Sequence, residues 1–177
     1  LKFRYKIQSR ADLLVQEKYV EALAASGCES VWMGAESGSQ RILDAMDKGT
    51  SIAQIKEANR LLKQYGIKPA FFIQFGYLGE TMDDIKQTIA LLNECLPDDM
   101  GASVSYPLPG TGFYEKVKSD LKDKTNWTDS DELALMFSNT YPREFYKQLH
   151  RYVHKNFRLH QGYESIGKLL TNPTGIN

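Results

Sequence analysis

PAFFIQFGYLGET, residues 69–81, reads as a strand, a loop and the start of a helix. Residues 69–76, PAFFIQFG, are a nearly continuous apolar run, the pattern of a strand buried on both faces. Gly76 and Gly79 punctuate the loop. Thr81 with Asp84 three residues later has the form of a capping box. The helix it opens, over 82–96, carries Ile85, Ile89, Leu92 and Leu96 at helical spacing.

The same unit repeats on either side. Upstream, residues 3–8 alternate apolar and polar as a strand does, and a helix follows over 13–25 through Leu14, Tyr19, Val20 and Leu23, closed by Gly27. A short apolar strand at 30–36, SVWMGAE, leads to a helix over 39–47 closed by Gly49. Ser51 then caps a helix that ends at Gly66. Downstream, ASVSYPL at 102–108 reads as a further strand, and PGTGFYEKVKSDL leads into another helix. Four strands alternating with helices predict an α/β chain with a parallel sheet and right-handed crossovers. Four are too few to close an eight-stranded barrel, so the expectation is a partial (β/α) barrel of the TIM type.

The pattern changes near residue 121. We divide the chain into 1–121, the partial barrel, and 122–177, a helical extension. In the second part KDKTNWTDSDE reads as a linker, Pro142 opens a helix, and TNPTGIN is expected to be disordered. Phe145, Tyr146, Leu149, Tyr152, Val153 and Phe157 form the expected apolar face of that helix, opposite Arg143, Lys147, His150, Arg151, His154, Lys155 and Arg158.

Composition excludes several classes. Lys+Arg and Asp+Glu are both 22, a formal net charge of zero, so nothing draws the whole chain to nucleic acid or an anionic membrane. No apolar run is long enough to span a bilayer, and the N-terminus has no signal-peptide core. Cys28 and Cys95 stand apart in buried patterns, which fits reduced thiols in a cytoplasmic protein. His150 and His154 share a helix face, but a solvated basic face explains them better than a metal site.

Three segments hold unusual residues just past the carboxyl ends of predicted strands: GAESGS at 34–39, GYLGET at 76–81 and PLPGT at 107–111. That edge is where parallel α/β folds bind ligands. Glu36, a carboxylate at the end of an apolar strand, needs a partner. Singly, each segment also fits a plain role. Glu36 could cap a helix or pair with an Arg, Gly76 and Gly79 could make a turn, and Pro107 and Pro109 could stiffen one.

As a set they resemble the radical S-adenosylmethionine superfamily, in particular its members with an upstream cobalamin-binding domain. The resemblance rests on Arg10-Ala11-Asp12, Ser26-Gly27-Cys28, Gly34 through Ser39, Leu43 through Lys48-Gly49, Phe71-Phe72-Ile73, Gly79-Glu80-Thr81 and Pro107 through Thr111, over roughly residues 3–115. The type most resembled is the anaerobic magnesium-protoporphyrin monomethyl ester oxidative cyclase. The resemblance implies that Glu36, with Ser37 beside it, contacts the ribose or methionine part of S-adenosylmethionine. It implies that Lys48 meets the methionine carboxylate, helped by Arg10 or Gln8. The strand and loop from Phe71 to Gly76, with Phe72 in it, and Gly79 would lie near the adenine, and Ser103, Ser105 and the loop from Pro107 would close the adenine or substrate side. Tyrosines and phenylalanines of the last helix, with Trp127, resemble the C-terminal extension of the same group.

Two departures stand out. Leu78 occupies the usual proline of the GxPGET segment. No C-x-x-x-C-x-x-C is present, so the three thiolates that hold the family's [4Fe–4S] cluster are absent. The expectation is that the cluster loop belongs to a preceding part of the same polypeptide and that this chain alone is inactive. The implied parent is a radical enzyme using S-adenosylmethionine, the cluster and in some relatives cobalamin, on a small molecule such as a tetrapyrrole. Alternatives are an RNA-modifying methylthiotransferase relative and a cluster-less binding module. Nucleic acid and membrane are not expected partners, and an uncovered sheet edge is expected either to be covered by the C-terminal helices or to self-associate.

Overall fold

The computed structural model describes residues 3–121 and 137–171. The element order is β1 (Tyr5–Ser9), α1 (Ala11–Leu14), α2 (Glu17–Ser26), β2 (Cys28–Glu36), α3 (Gln40–Ala45), α4 (Ile52–Gln64), β3 (Lys68–Phe75), α5 (Met82–Cys95), β4 (Asp99–Val104), α6 (Gly112–Val117), a 3₁₀ turn (Lys118–Asp120) and α7 (Arg143–Thr171). The four strands form one parallel sheet in the order β1-β2-β3-β4, so each crossover helix returns the chain to the next position. This is the α/β pattern of a partial TIM-type barrel with an appended C-terminal helix. The linker at 122–132, with Trp127, and the tail beyond Thr171 lie outside the described residues.

Strand alternation sorts the side chains. Ile7, Val31, Met33, Phe71, Ile73, Phe75, Met100 and Val104 share the face under the helices and belong to the main core. Lys6, Gln8, Trp32, Phe72, Gln74 and Ser103 share the opposite, concave face. β3 is buried on both faces only in part: on the concave side Ala70 is buried beside Trp32, whereas Phe72 is 36% exposed.

Two other boundaries move. The single helix expected over 13–25 is two, broken at Val15–Gln16, with Gln16 extended. In one continuous helix Leu14 and Val20 would sit about 120° apart. The break lets both reach the core, where each is buried. The last strand runs Asp99–Val104 rather than 102–108. Pro107 and Pro109 have no N–H to give a ladder, so pairing stops before them. Other expectations hold in detail. Ser51 and Gln54 form a reciprocal capping box, and Gly27 takes the left-handed cap of α2 at φ 93°.

α7 buries Tyr146, Leu149, Val153 and Phe157 in the same core as the sheet, at spacings of three and four. Tyr152, expected on that face, is exposed instead. Asn156 bonds Asn93 of α5 (2.8 Å), and Gln161 bonds the Asp98 carbonyl at the start of β4 (2.9 Å). The C-terminal helix thus covers apolar surface beside β4. β1 pairs on one side only.

Candidate functional site

β2 ends in an irregular turn. The register slips between Gly34 and Glu36, and Glu36 takes φ 57°, a left-handed conformation that costs a non-glycine residue of order 1 kcal/mol. The turn folds the Glu36 carboxylate back over Gly34. A β-carbon on Gly34 would meet Glu36 Oε1 at 2.7 Å, so only glycine leaves room. The Glu36 side chain is 7% exposed and pairs with Lys48 Nζ at 2.8 Å. Its second oxygen, Oε2, is buried and has no hydrogen-bond partner among the described residues. A backbone outlier ending in a half-satisfied carboxylate marks a site.

Arg10 joins this group. Its guanidinium pairs with Asp12 (2.9 Å) and donates to the Lys48 carbonyl (3.3 Å). The hydrogen bond to Asp12, reinforced by charge, raises Arg10 and lowers Asp12 from their ordinary pKa values. Arg10, Glu36 and Lys48 therefore form one connected cluster at the carboxyl edge of β1 and β2. Gln8 lies a step lower on the concave face, opposite Trp32.

The segment after Glu36 is locked from behind. Ser37 is fully buried and its hydroxyl contacts Thr88 Oγ1 (3.2 Å), while Gly38 N–H donates to the same atom (2.9 Å). A β-carbon on Gly38 would come within 2.3 Å of the Gln87 carbonyl. Ser39 donates to Asp84 Oδ1 (2.6 Å), and Arg41 to Asp84 Oδ2 and to the Gly79 carbonyl (2.8 Å). Thr81 gives Asp84 its backbone N–H (2.8 Å) and its hydroxyl (2.6 Å). Burial alone would raise Asp84, but the hydrogen bonds from Ser39, Thr81 and Arg41 outweigh it and hold the carboxyl well below the usual carboxylate range. Asp84 therefore ties the loop after β2 to the loop after β3. Ser37 faces α5 in this network, not the concave surface.

Gly76 and Gly79 have φ 77° and 73°. Gly76 N–H donates to Glu80 Oε2 (2.6 Å), and the Gly76 carbonyl accepts from Asn139 (2.7 Å). Glu80 is fully buried, and burial is the main cause that pushes its carboxyl up to about 7. Tyr146 of α7 is buried close by, and burial with the Glu80 charge pushes its phenol up to about 12. Leu78, where the family has proline, packs with Val117 and Phe137 in a small satellite core that also holds Phe113 and Leu121. Phe72 stacks on Trp32, ring centroids 4.7 Å apart. Ser105 is buried, its N–H donating to the Phe75 carbonyl (2.7 Å) and its hydroxyl to Gln74 (3.4 Å). Pro107 is buried in the loop that follows.

Sequence reasoning missed Trp32 and Arg41, and it placed Tyr146 only on the apolar face of the last helix, not beside Glu80. Counting by twos back from Gly34 would have placed Trp32 on the concave face. Nothing local signals that neighbour of Tyr146, because it is distant in the chain.

Residues 2–92 match the family model of the Radical SAM superfamily, and the chain belongs to that superfamily. It is similar to an uncharacterized methyltransferase of Pyrococcus horikoshii, 30% identical over 112 residues, 63% of this chain and 24% of that protein. It is also similar to the mitochondrial tRNA methylthiotransferase of Mus musculus, 30% identical over 115 residues, 62% of this chain and 19% of that one. The anaerobic magnesium-protoporphyrin IX monomethyl ester cyclase of Rubrivivax gelatinosus is 28% identical over 106 residues, 60% of this chain and 19% of the cyclase. The chain thus spans a quarter or less of the length of these relatives. Among solved structures, archaeal Elp3 of Methanocaldococcus infernus superposes with TM-score 0.58 at 24% identity, over 63% of this chain and 27% of that one. The radical S-adenosylmethionine methyltransferase TsrM of Kitasatospora setae, with cobalamin and a [4Fe–4S] cluster bound, gives 0.55 at 21% identity, over 60% and 21%. Both likenesses show a shared fold.

The donor set decides which family groups these residues can hold. A cluster needs three thiolates. Cys28 lies at the start of β2, donating to the Ser30 carbonyl (3.6 Å), and burial pushes Cys95 up to about 11. No group of three or more metal-binding side chains exists among the described residues. These residues do not fit the cluster. The Arg10–Glu36–Lys48 cluster, with its unsatisfied carboxylate oxygen, does fit the hydroxyl and carboxylate groups of S-adenosylmethionine. No described helix is long and apolar enough to cross a membrane.

Proposed function

We propose that this chain forms the wall of a radical enzyme that binds S-adenosylmethionine and a small-molecule substrate. The observation that carries the reading is the Glu36 carboxylate, folded over Gly34, paired on one oxygen with Lys48 and unsatisfied on the other. In this proposal Glu36 accepts from the ribose hydroxyls, and Lys48, steered by Arg10 and aided by Gln8, meets the methionine carboxylate as a point charge. Phe72, Gly76 and Gly79 line the adenine side, and Ser105 and Pro107 hold the loop that closes it. Ser37 acts from behind, fixing the turn through Thr88.

When bound, S-adenosylmethionine would supply either a methyl group to a nucleophile, leaving S-adenosylhomocysteine, or, on one-electron reduction by a cluster held elsewhere, a 5′-deoxyadenosyl fragment, leaving methionine. The chain's own residues bind and orient, and their fixed charges keep the cofactor's polar end in place. The whole enzyme's chemistry is proposed to be methyl transfer or oxidative ring closure on a tetrapyrrole or another small molecule, in a cytoplasmic setting that keeps Cys28 and Cys95 reduced. Cobalamin is bound in the TsrM structure, and no residue here is assigned to it. The chain alone is proposed to be inactive, completed by another part of the same polypeptide.

Calorimetric titration of this chain with S-adenosylmethionine tests the cofactor reading. Binding is expected, weakened at least tenfold by Glu36→Gln with unfolding midpoint retained. Failure of the unaltered chain to bind would sink it. The methylthiotransferase relatives favour a second reading, modification of RNA. That reading requires RNA binding whose affinity falls steeply with salt.

A further inference from the structure

The concave face below Glu36 has an aromatic floor, Trp32 beside Phe72, of which only Phe72 borders the proposed adenine side. Along β2 the concave positions run Ser30, Trp32, Gly34, and the register places them beside Lys68, Ala70 and Phe72 of β3. Phe72 in turn pairs with Gly101 of β4. Phe72 therefore has glycine at the paired position on both neighbouring strands, Gly34 and Gly101, and its ring neighbour is Trp32. Trp32 and Phe72 stack with centroids 4.7 Å apart and planes inclined by 33°. Toward the amino ends of the strands Trp32 also lines an open cavity of about 570 Å³ with charged neighbours such as Lys6, Glu29, Lys68 and Asp99, and Phe72 is not part of its lining.

The two glycines are there for different reasons. Gly34 makes room for the Glu36 carboxylate. Gly101 has no positive φ and no backbone clash. A β-carbon there would meet only Trp32 Cζ3 at 3.6 Å and Phe72 Cδ1 at 3.8 Å, ordinary contact distances. A larger residue would fit the strand and cover the rings, and a β-sheet ordinarily gains by it. Its absence leaves ring surface open. Gln8 sits beside Trp32, and Gln74 with Ser103 sits one row above Phe72, so amide and hydroxyl groups rim the apolar floor.

We infer that the Trp32–Phe72 pair, kept open by Gly101, is the platform on which the substrate stacks, and that the substrate presents a planar conjugated ring with polar edge atoms. Flat rings gain most from an offset aromatic floor, and the amides at its rim supply in-plane hydrogen bonds. The platform adjoins Gly34, over which the Glu36 carboxylate lies, so a ring seated there is next to the cofactor's polar end. This assignment of substrate class rests on the S-adenosylmethionine reading of Glu36, but the binding surface itself does not.

Equilibrium dialysis of this chain tests it, with quinoline, tryptophan and protoporphyrin IX as planar probes and cyclohexylalanine as the non-planar control. At least one planar probe is expected to bind saturably and at least tenfold more tightly than the control. Gly101→Leu, which fills the opening, and Phe72→Leu, which keeps apolar volume but removes the ring, are each expected to weaken that probe at least tenfold. Circular dichroism checks that both variants fold, and either one alone decides. No saturable planar probe, or undiminished binding in a folded variant, overturns the platform. If planar probes bind while S-adenosylmethionine does not, the platform stands and the cofactor reading falls. The converse result removes the platform alone.

Discussion

At the scale of single residues, two buried carboxyls are held in opposite ways. Asp84 sits among donors, and its folded pKa is depressed. Its contribution to stability is present above the unfolded value and is lost as pH falls through the folded one. Glu80 takes one backbone N–H, from Gly76, and its other oxygen is buried without a hydrogen-bond partner among the described residues, with Arg41 favouring and Asp84 opposing its charge. Its folded value, about 7, is raised above the ordinary one. The stability tied to it is fully present below the unfolded value and is lost as pH rises through about 7, by roughly 3 kcal/mol at most. Glu80→Gln keeps the acceptor for Gly76 and cannot ionise. Urea unfolding at pH 5 and pH 8 is expected to show the wild type weaker at pH 8 and the variant nearly equal at both. Gly34→Ala tests the turn at β2. Its β-carbon displaces the Glu36 carboxylate, so S-adenosylmethionine affinity is expected to drop at least tenfold in titration calorimetry while the unfolding midpoint moves little.

Elements were legible where local chemistry sets them and obscure where partners are remote. The Ser51 capping box, the left-handed Gly27 and the apolar run of β3 are written in adjacent residues, and those elements lie where the sequence places them. The break at Val15–Gln16 answers the need of Leu14 and Val20 to meet a sheet that does not exist locally, so no periodicity announces it. Motif resemblance singles out Arg10, Glu36 and Lys48 as residues, but their pairing with one another is not written in it, and the orientation of Ser37 toward Thr88 depends on how α5 crosses the loop. α7 shows the same limit: the helix is plain, but which of Tyr152 and Val153 turns inward depends on α5 and β4. Phe157 fills the far end of that contact. Phe157→Ala is expected to cost about 3 kcal/mol by chemical denaturation, whereas an exposed site such as Tyr152→Ala shifts stability by a few tenths.

For the whole molecule, the sheet is asymmetric. α7 lies beside β4, and its buried residues belong to the central core. β1 pairs only with β2, and beside it Ile7, Leu13, Tyr19 and Leu23 line an apolar surface. We propose that this edge self-associates. Sedimentation velocity is expected to show a concentration-dependent dimer, weakened by Leu13→Lys; a monomer at all concentrations contradicts it.

The long C-terminal helix has two halves with different holds on the body. From Tyr146 to Phe157 its inward residues are part of the core. Beyond them, Leu159, Tyr163, Ile166, Leu169 and Leu170 are exposed, and Gly162 and Gly167 interrupt the turns. Beyond the Gln161 bond to the Asp98 carbonyl and the exposed Lys168–Glu164 pair, helical propensity sustains that second half, and two glycines lower it by about 2 kcal/mol relative to alanine. The backbone amides of one continuous helix therefore open on very different timescales. Those near Val153 open only with the global unfolding of the domain, and those past Gly162 open by fraying from the end, independently of the core.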